Sequence, residues 1–206
     1  MANHVNTYVS LVFGNEEAGK AKLQELYSRL DDWGDENKYD WDLCGIFGVP
    51  ETDELDEHGN ATGPGTYSWN IEHMGAKWAY IEDAEEESFR ITSAWGVPTD
   101  AVEFIVKELA EVDPVVRAEI TAEDEFPNWV YAAVADSDGI YDAEEWQWEE
   151  IIEHLRDTYT EISSGWDEEN DDFSDNDAGE AARDFMYDVL WEEISEWQMG
   201  KIEDMI

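Results

Sequence analysis

Cations are scarce in this sequence. Eleven Lys and Arg stand against fifty-four Asp and Glu in 206 residues, a formal net charge of -43. Self-repulsion on this scale destabilises a compact state. Solubility asks for a net charge of only about 2–8 in a small domain. Almost every face of such a molecule repels phosphates, so direct binding to nucleic acid is disfavoured. Cysteine is nearly absent: Cys44 is single and cannot form an intrachain disulfide, which fits a reducing cytoplasm. No apolar run approaches the ~18 residues of a membrane span, and the N-terminus lacks a signal-peptide pattern. A cytoplasmic protein with no membrane partner is therefore expected.

Catalytic signatures are missing as well. There is no Walker loop, no GxGxxG after a strand and no GxSxG elbow. His4, His58, His73 and His154 are scattered, without zinc-ligand spacing. Paired carboxylates carry little catalytic information where acids are everywhere. The expectation is a non-enzyme with no cofactor and no metal centre. Asp136, Asp138, Gly139 and Glu145 match four positions of a calcium loop, but Val134 falls at its first ligand position. A turn from strand to helix is the simpler reading. His154 lies four residues after Glu150, a spacing that suits a surface pair on a helix.

Aromatics are plentiful. Eleven Trp, nine Tyr and seven Phe accompany a hydrophobic fraction of 42%. A disordered acidic chain has few aromatics, so this one folds, and its length suits one domain with an appendage. Most Trp, such as Trp78, Trp95 and Trp148, sit in core-like patterns. Trp146, Trp166 and Trp191 fall on polar faces or in an acidic loop.

Residues 1–140 read as mixed α/β. Thr7–Phe13 suggests a strand, and Asn15 caps a helix carrying Leu23, Leu26, Tyr27 and Leu30. A stretch rich in Asp, Gly and Pro follows to Gly65, broken by an apolar piece, Leu43–Val49. Strands are expected at Lys77–Ile81 and Ser88–Trp95, then a helix opened by Pro98, Thr99 and Asp100. Val115–Thr121 and Trp129–Ala135 make a strand pair across an acidic turn. The order, roughly β-α-β-β-α-β-β, is close to a ferredoxin-like split βαβ sheet, giving an α+β fold class.

Residues 141–206 read as two helices flanking an acidic loop, Ser163–Gly179. On the first, Glu145, Glu149, Glu153, Asp157 and Glu161 recur every four residues; on the second, Glu180, Asp184, Asp188, Glu192 and Glu196 do. Four residues of helix rise about 6 Å and advance about 40°, so each row is a curved acidic ridge. The second ridge is expected to abut Phe185 and Val189. Like charges at this spacing destabilise a helix by roughly 0.2–0.5 kcal/mol per pair, so helix stability does not select them. A solvated face is the plain explanation. The other is a row of carboxylates with a spacing comparable to the charges of a nucleic-acid strand, which carries one phosphate per about 3.4 Å of axis.

Gly75-Ala-Lys-Trp78, Thr92-Ser-Ala-Trp95-Gly-Val-Pro98 before a helix, and the early Asn6-Thr-Tyr-Val9 strand resemble the YubB-like ferredoxin-like domains of phages and plasmids. The resemblance covers about residues 1–140. It implies that fold and a mobile-element origin, and brings no catalytic constellation. The acidic helical extension is not part of the family pattern.

The charge is uneven: residues 114–206 hold 29 acids and 4 cations, a net of -25, against -18 over residues 1–113. Together these features lead to one expectation. A phage-encoded DNA mimic in the host cytoplasm occupies the cationic channel of a basic DNA-binding defence protein, of restriction or CRISPR type, such as a nuclease or its targeting subunit. The ten ridge acids form the partner-binding surface, and a homodimer is compatible with the sequence. The alternative is an accessory or structural phage protein whose acidity serves solubility in high salt. A cation-binding module is the third reading.

Overall fold

The computed structural model describes residues 3–31, 42–48, 55–126, 128–167, 169–170 and 172–205. Contacts divide the chain into two compact units, residues 1–127 with 131–144, and residues 128–130 with 145–206.

Strand β1 (His4–Val12) alternates strictly: Val5, Thr7, Val9 and Leu11 are buried while Tyr8, Ser10 and Val12 are exposed. That period of two is the signature of a strand with one face on a core. Helix α1 (Glu16–Asp31) buries Leu23, Leu26, Tyr27 and Leu30 on one face. The entry to α1 is held by Asp113, whose buried carboxylate accepts from the N–H groups of Gly14 (2.8 Å) and Asn15 (3.0 Å). A short 3-10 turn, Leu43–Phe47, carries buried Cys44, in contact with Asn70 of helix α2 (Tyr67–Met74). Val49 of the expected apolar piece lies outside the described residues.

Strands β2 (Ala79–Ala84) and β3 (Ser88–Ala94) lead into helix α3 (Thr99–Ala110), then β4 (Arg117–Asp124), β5 (Trp129–Asp136) and β6 (Gly139–Gln147). The six strands form one antiparallel sheet in the order β2-β3-β1-β4-β5-β6. Val9 lies opposite Phe89 on one side and Ile120 on the other. These residues join Leu23, Leu26, Ile105 and Leu109 in one apolar core. Glu108 of α3 ties the two long helices of this unit together, pairing with Lys22 (3.4 Å) and Arg29 (2.8 Å) of α1.

The sheet is larger than the sequence suggests. A helix is expected from about Asp142, yet the chain stays extended to Gln147. Asp136–Gly139 is the turn of a β-hairpin, in which the Asp136 carboxylate accepts from the Asp138 N–H at 2.8 Å. Gly139 adopts φ 119°, a conformation that favours glycine. The turn therefore joins two strands, not a strand and a helix. Trp95 also departs from expectation: it is 64% exposed with φ 74°. β3 ends at Ala94, and the Trp95 N–H turns back to the carbonyl of Asn3 (3.0 Å). Lys77 lies 5.2 Å from the Trp95 ring centroid.

The second unit holds helices α4 (Trp148–Thr158) and α5 (Thr160–Ser164), a two-residue hairpin of β7 (Trp166–Asp167) and β8 (Asp172–Phe173), and the long helix α6 (Asp177–Asp204). The expected first helix is thus two. Tyr159 between them is extended (φ -117°, ψ 116°), and its hydroxyl donates to Glu193 at 2.9 Å. The flanking Thr158 and Thr160 are weak helix formers, which lets the break occur. Asn176 caps α6 by accepting from the N–H groups of Ala178 and Gly179. Gly179 is required there: a Cβ would lie 1.9 Å from the Ser174 carbonyl oxygen. Among the described residues no helix is long and apolar enough to cross a membrane.

On the outward face of β4, Glu119 and Glu123 lie opposite Ser10 and Asn6 and are half-buried. Desolvation holds both carboxyls above the ordinary glutamate range, with Asp124 adding to the effect at Glu123. A raised folded pKa means that the native state binds more protons than the unfolded chain, so stability falls as pH rises through that window. Thermal unfolding is expected to shift upward as pH is lowered from about 7 toward 5. The Glu119→Gln/Glu123→Gln double variant should be more stable at neutral pH and show a flatter profile. A parallel profile in that variant would remove these two groups as the cause.

Candidate functional site

All ten acids expected to form the ridges are exposed. The structure divides them. Glu145 lies on β6 and accepts a hydrogen bond from Gln147 (3.2 Å), so it is not part of a helical row. Glu161 sits on α5, beyond the break at Tyr159. The first ridge is therefore Glu149, Glu153 and Asp157 on α4. The second is complete: Glu180, Asp184, Asp188, Glu192 and Glu196 all lie on α6. At 1.5 Å per residue the second row extends about 24 Å.

The rows hold a fixed relation to the buried side of each helix. On α6 the residues Ala182, Met186, Leu190, Ile194 and Gln198 are buried, and they too recur every four positions. They are two residues out of step with the acids, an offset of about 200°. Both rows drift together, so the acids stay opposite the buried seam along the helix and do not run into it. Buried Val189 adjoins the seam at Met186 and also lies three residues from Glu192, and half-buried Phe185 lies three residues from Asp188, so the row borders both apolar side chains. On α4 the same offset separates Glu149 and Glu153 from buried Ile151 and Leu155.

Cations do not neutralise the rows. Among the described residues none of the ten acids forms an ion pair. The three Lys and Arg of this unit are placed over aromatic rings instead. Arg156 lies 4.3 Å from the Trp166 centroid, Arg183 5.3 Å from Phe173 and Lys201 5.3 Å from Trp197. Trp166 and Phe173 meet edge to face at 5.0 Å, so Arg156, Trp166, Phe173 and Arg183 make a continuous stack through the β7–β8 hairpin. Arg183 also reaches Asp172 at 3.6 Å. In the first unit Lys20, Lys22, Arg29 and Arg90 take two or three acids each; Lys20 contacts Glu16, Glu86 and Glu87. Residues 145–206 carry 21 acids and 3 cations, a net of -18.

One acid of α6 behaves differently. Glu193 is half-buried, while the other acids of that helix are exposed. It accepts from the Tyr159 hydroxyl (2.9 Å) and lies 3.1 Å from His154 Nε2. His154 thus reaches across to α6 and does not pair with Glu150 along its own helix. The Glu193 contact holds the Tyr159 hydroxyl above the ordinary tyrosine range. Of these, His154 and Glu193 line a cavity of about 460 Å³ between α4 and α6. Ile151, Leu155, Leu190 and Ile194 form its floor, and Trp146 and Trp197 its aromatic end. The two indoles meet edge to face at 6.1 Å. Glu193 breaks the four-residue rhythm of its neighbours and falls beside an apolar face; that is the only mark it leaves in the sequence.

No group of His, Cys, Asp and Glu among the described residues is arranged to hold a metal ion. Comparison with protein-family models finds no matching family, and comparison with curated proteins finds no match.

Asp188 stands between Asp184 and Glu192 on an exposed surface, so its charge acts chiefly through repulsion. Asp188→Lys replaces two repulsive pairs by two attractive ones and is expected to stabilise the protein by about 0.8–2 kcal/mol. Urea unfolding at low salt measures it. A loss of stability would give Asp188 a structural role that its surroundings do not show.

Proposed function

We propose that this protein is an acidic mimic of nucleic acid that occupies the cationic DNA channel of a host defence protein. The observation that carries the reading is the α6 row: five exposed carboxylates, unpaired among the described residues, opposite a buried seam. The row presents charge along about 24 Å, the length over which a DNA strand carries about seven phosphates. Glu149, Glu153 and Asp157 add a second, shorter row. Steering of this surface to a basic channel is electrostatic, and occupation of the channel excludes DNA.

A phage source is part of the same proposal, and it rests on the resemblance to the YubB-like domains. The ferredoxin-like reading of the first unit is supported by the strand order β2-β3-β1-β4, with α1 and α3 as the crossovers of a split βαβ plan. Strands β5 and β6 extend that plan. The fold itself dictates no activity. The protein acts in the host cytoplasm as a non-enzymatic inhibitor.

The test has two stages. A partner is retained from host lysate on the immobilised protein and released by salt, then challenged with duplex DNA. Binding of the protein and DNA should be mutually exclusive, and association should slow with salt, since screening sets in beyond about 8–10 Å at 0.10–0.15 M. Asp184→Lys/Asp188→Lys/Glu192→Lys should weaken binding well over about tenfold with the fold intact, and Glu149→Lys/Glu153→Lys/Asp157→Lys should weaken it less. A partner that binds DNA and this protein at once, with neither affinity altered, would overturn mimicry and favour an accessory protein whose acidity serves solubility.

A further inference from the structure

We propose that the cavity between α4 and α6 is a binding site for a small organic cation with an apolar body about 10 Å long. The proposal does not depend on the acid rows. The cavity runs along α6 from Leu190 to Trp197, about 10 Å of helix rise. Its volume of about 460 Å³ lies within the range of small-molecule sites, and its walls are mostly apolar with a few convergent polar groups, as such sites are. The floor is preformed. Leu155 is fully buried, and Ile151, Leu190 and Ile194 are only 4–6% exposed.

The polar groups decide the sign of the ligand. Glu150 and Glu193 stand at the rim. Glu193 is held in place by Tyr159 and His154, so its carboxylate is oriented before a ligand arrives. The net charge of the unit raises the local concentration of cations and lowers that of anions. The indoles of Trp146 and Trp197 form one end of the cavity, and an indole face attracts a cation within about 6 Å. Trp197 already receives the Lys201 ammonium in this way. An apolar anion meets two carboxylates here, and a neutral hydrocarbon brings them no countercharge. An organic cation satisfies the floor and the rim together.

The probe is phenethyltrimethylammonium, compared with its uncharged carbon analogue 3,3-dimethylbutylbenzene. Tryptophan fluorescence is the readout, because two indoles line the cavity. Titrations are run on the full chain at about pH 8, where imidazole is ordinarily neutral. Salt at about 0.15 M screens the exposed rows. The cation should give a saturable change and bind at least about tenfold more tightly than the neutral analogue. Glu193→Gln should weaken it about fivefold or more, with Glu150→Gln as the second variant should the first not fold. Ile194→Trp, which fills the cavity, should abolish the response. Glu203→Gln, an exposed acid of α6 outside the cavity lining and outside the row, should leave it unchanged. A linear, non-saturating response, equal binding of the neutral analogue, or a loss in Glu203→Gln as large as in Glu193→Gln overturns the proposal. None of these outcomes bears on competition with DNA, so this site and the mimic reading fail separately.

Discussion

Helix α6 is fastened by a single seam. Ala182, Met186, Leu190, Ile194 and Gln198 turn inward at four-residue intervals, and the acids keep the same interval about 200° away. Each large apolar side chain in the seam contributes about 1.5–3 kcal/mol on burial. Each like-charged neighbour pair on the far side costs only roughly 0.2–0.5 kcal/mol. The seam therefore sets the position of the helix, and the repulsion is carried as a smaller opposing effect. Asp177 and Glu180 reduce it further, since acids in the first turn face the positive end of the helix dipole.

The few cations are distributed to the same end. In the first unit Lys20, Lys22 and Arg29 each gather two or three carboxylates, where α1 meets α3 and the β2–β3 turn. In the second unit Arg156, Arg183 and Lys201 rest on rings, where their stems pack and their charge meets a π face. The hairpin β7–β8 is too short to stand as a sheet, and the Arg–Trp–Phe–Arg stack supplies side-chain contacts that its backbone cannot. The acidic rows remain bare: this unit has three cations for twenty-one acids, and among the described residues none of the three pairs with an acid of either row.

Much of the first unit is legible in the sequence. Alternation in β1, helical spacing in α1 and α3, and the Asn15 cap are local signals, and each falls within a few residues of its element. β6 is not legible: the run Tyr141 to Gln147 mixes acids and aromatics in a way that suits a helix as well as a strand, and only pairing in a sheet decides it. The break at Tyr159 is equally hidden, since it depends on a hydroxyl reaching Glu193, thirty-four residues on. Of the expected site, the α6 row is read directly, because a four-residue interval on an unbroken helix needs no tertiary knowledge. The cavity is invisible from sequence, as its two walls are assembled from helices separated by the hairpin. Trp95 misled for the opposite reason: a strand pattern assigned it to the core, while its left-handed backbone turns it outward.

The opposition of seam and acids has a consequence for descent. A change at Ala182, Met186, Leu190 or Ile194 alters packing, whereas a change at Asp184, Asp188 or Glu192 alters what the helix presents and leaves the packing in place. Selection can therefore rewrite the outer row one residue at a time without first finding a compensating change inside. A lineage under pressure from a changing adversary gains a surface that drifts quickly over a scaffold that does not, and relatives of this chain are expected to keep the inner row recognisable long after the outer one has diverged.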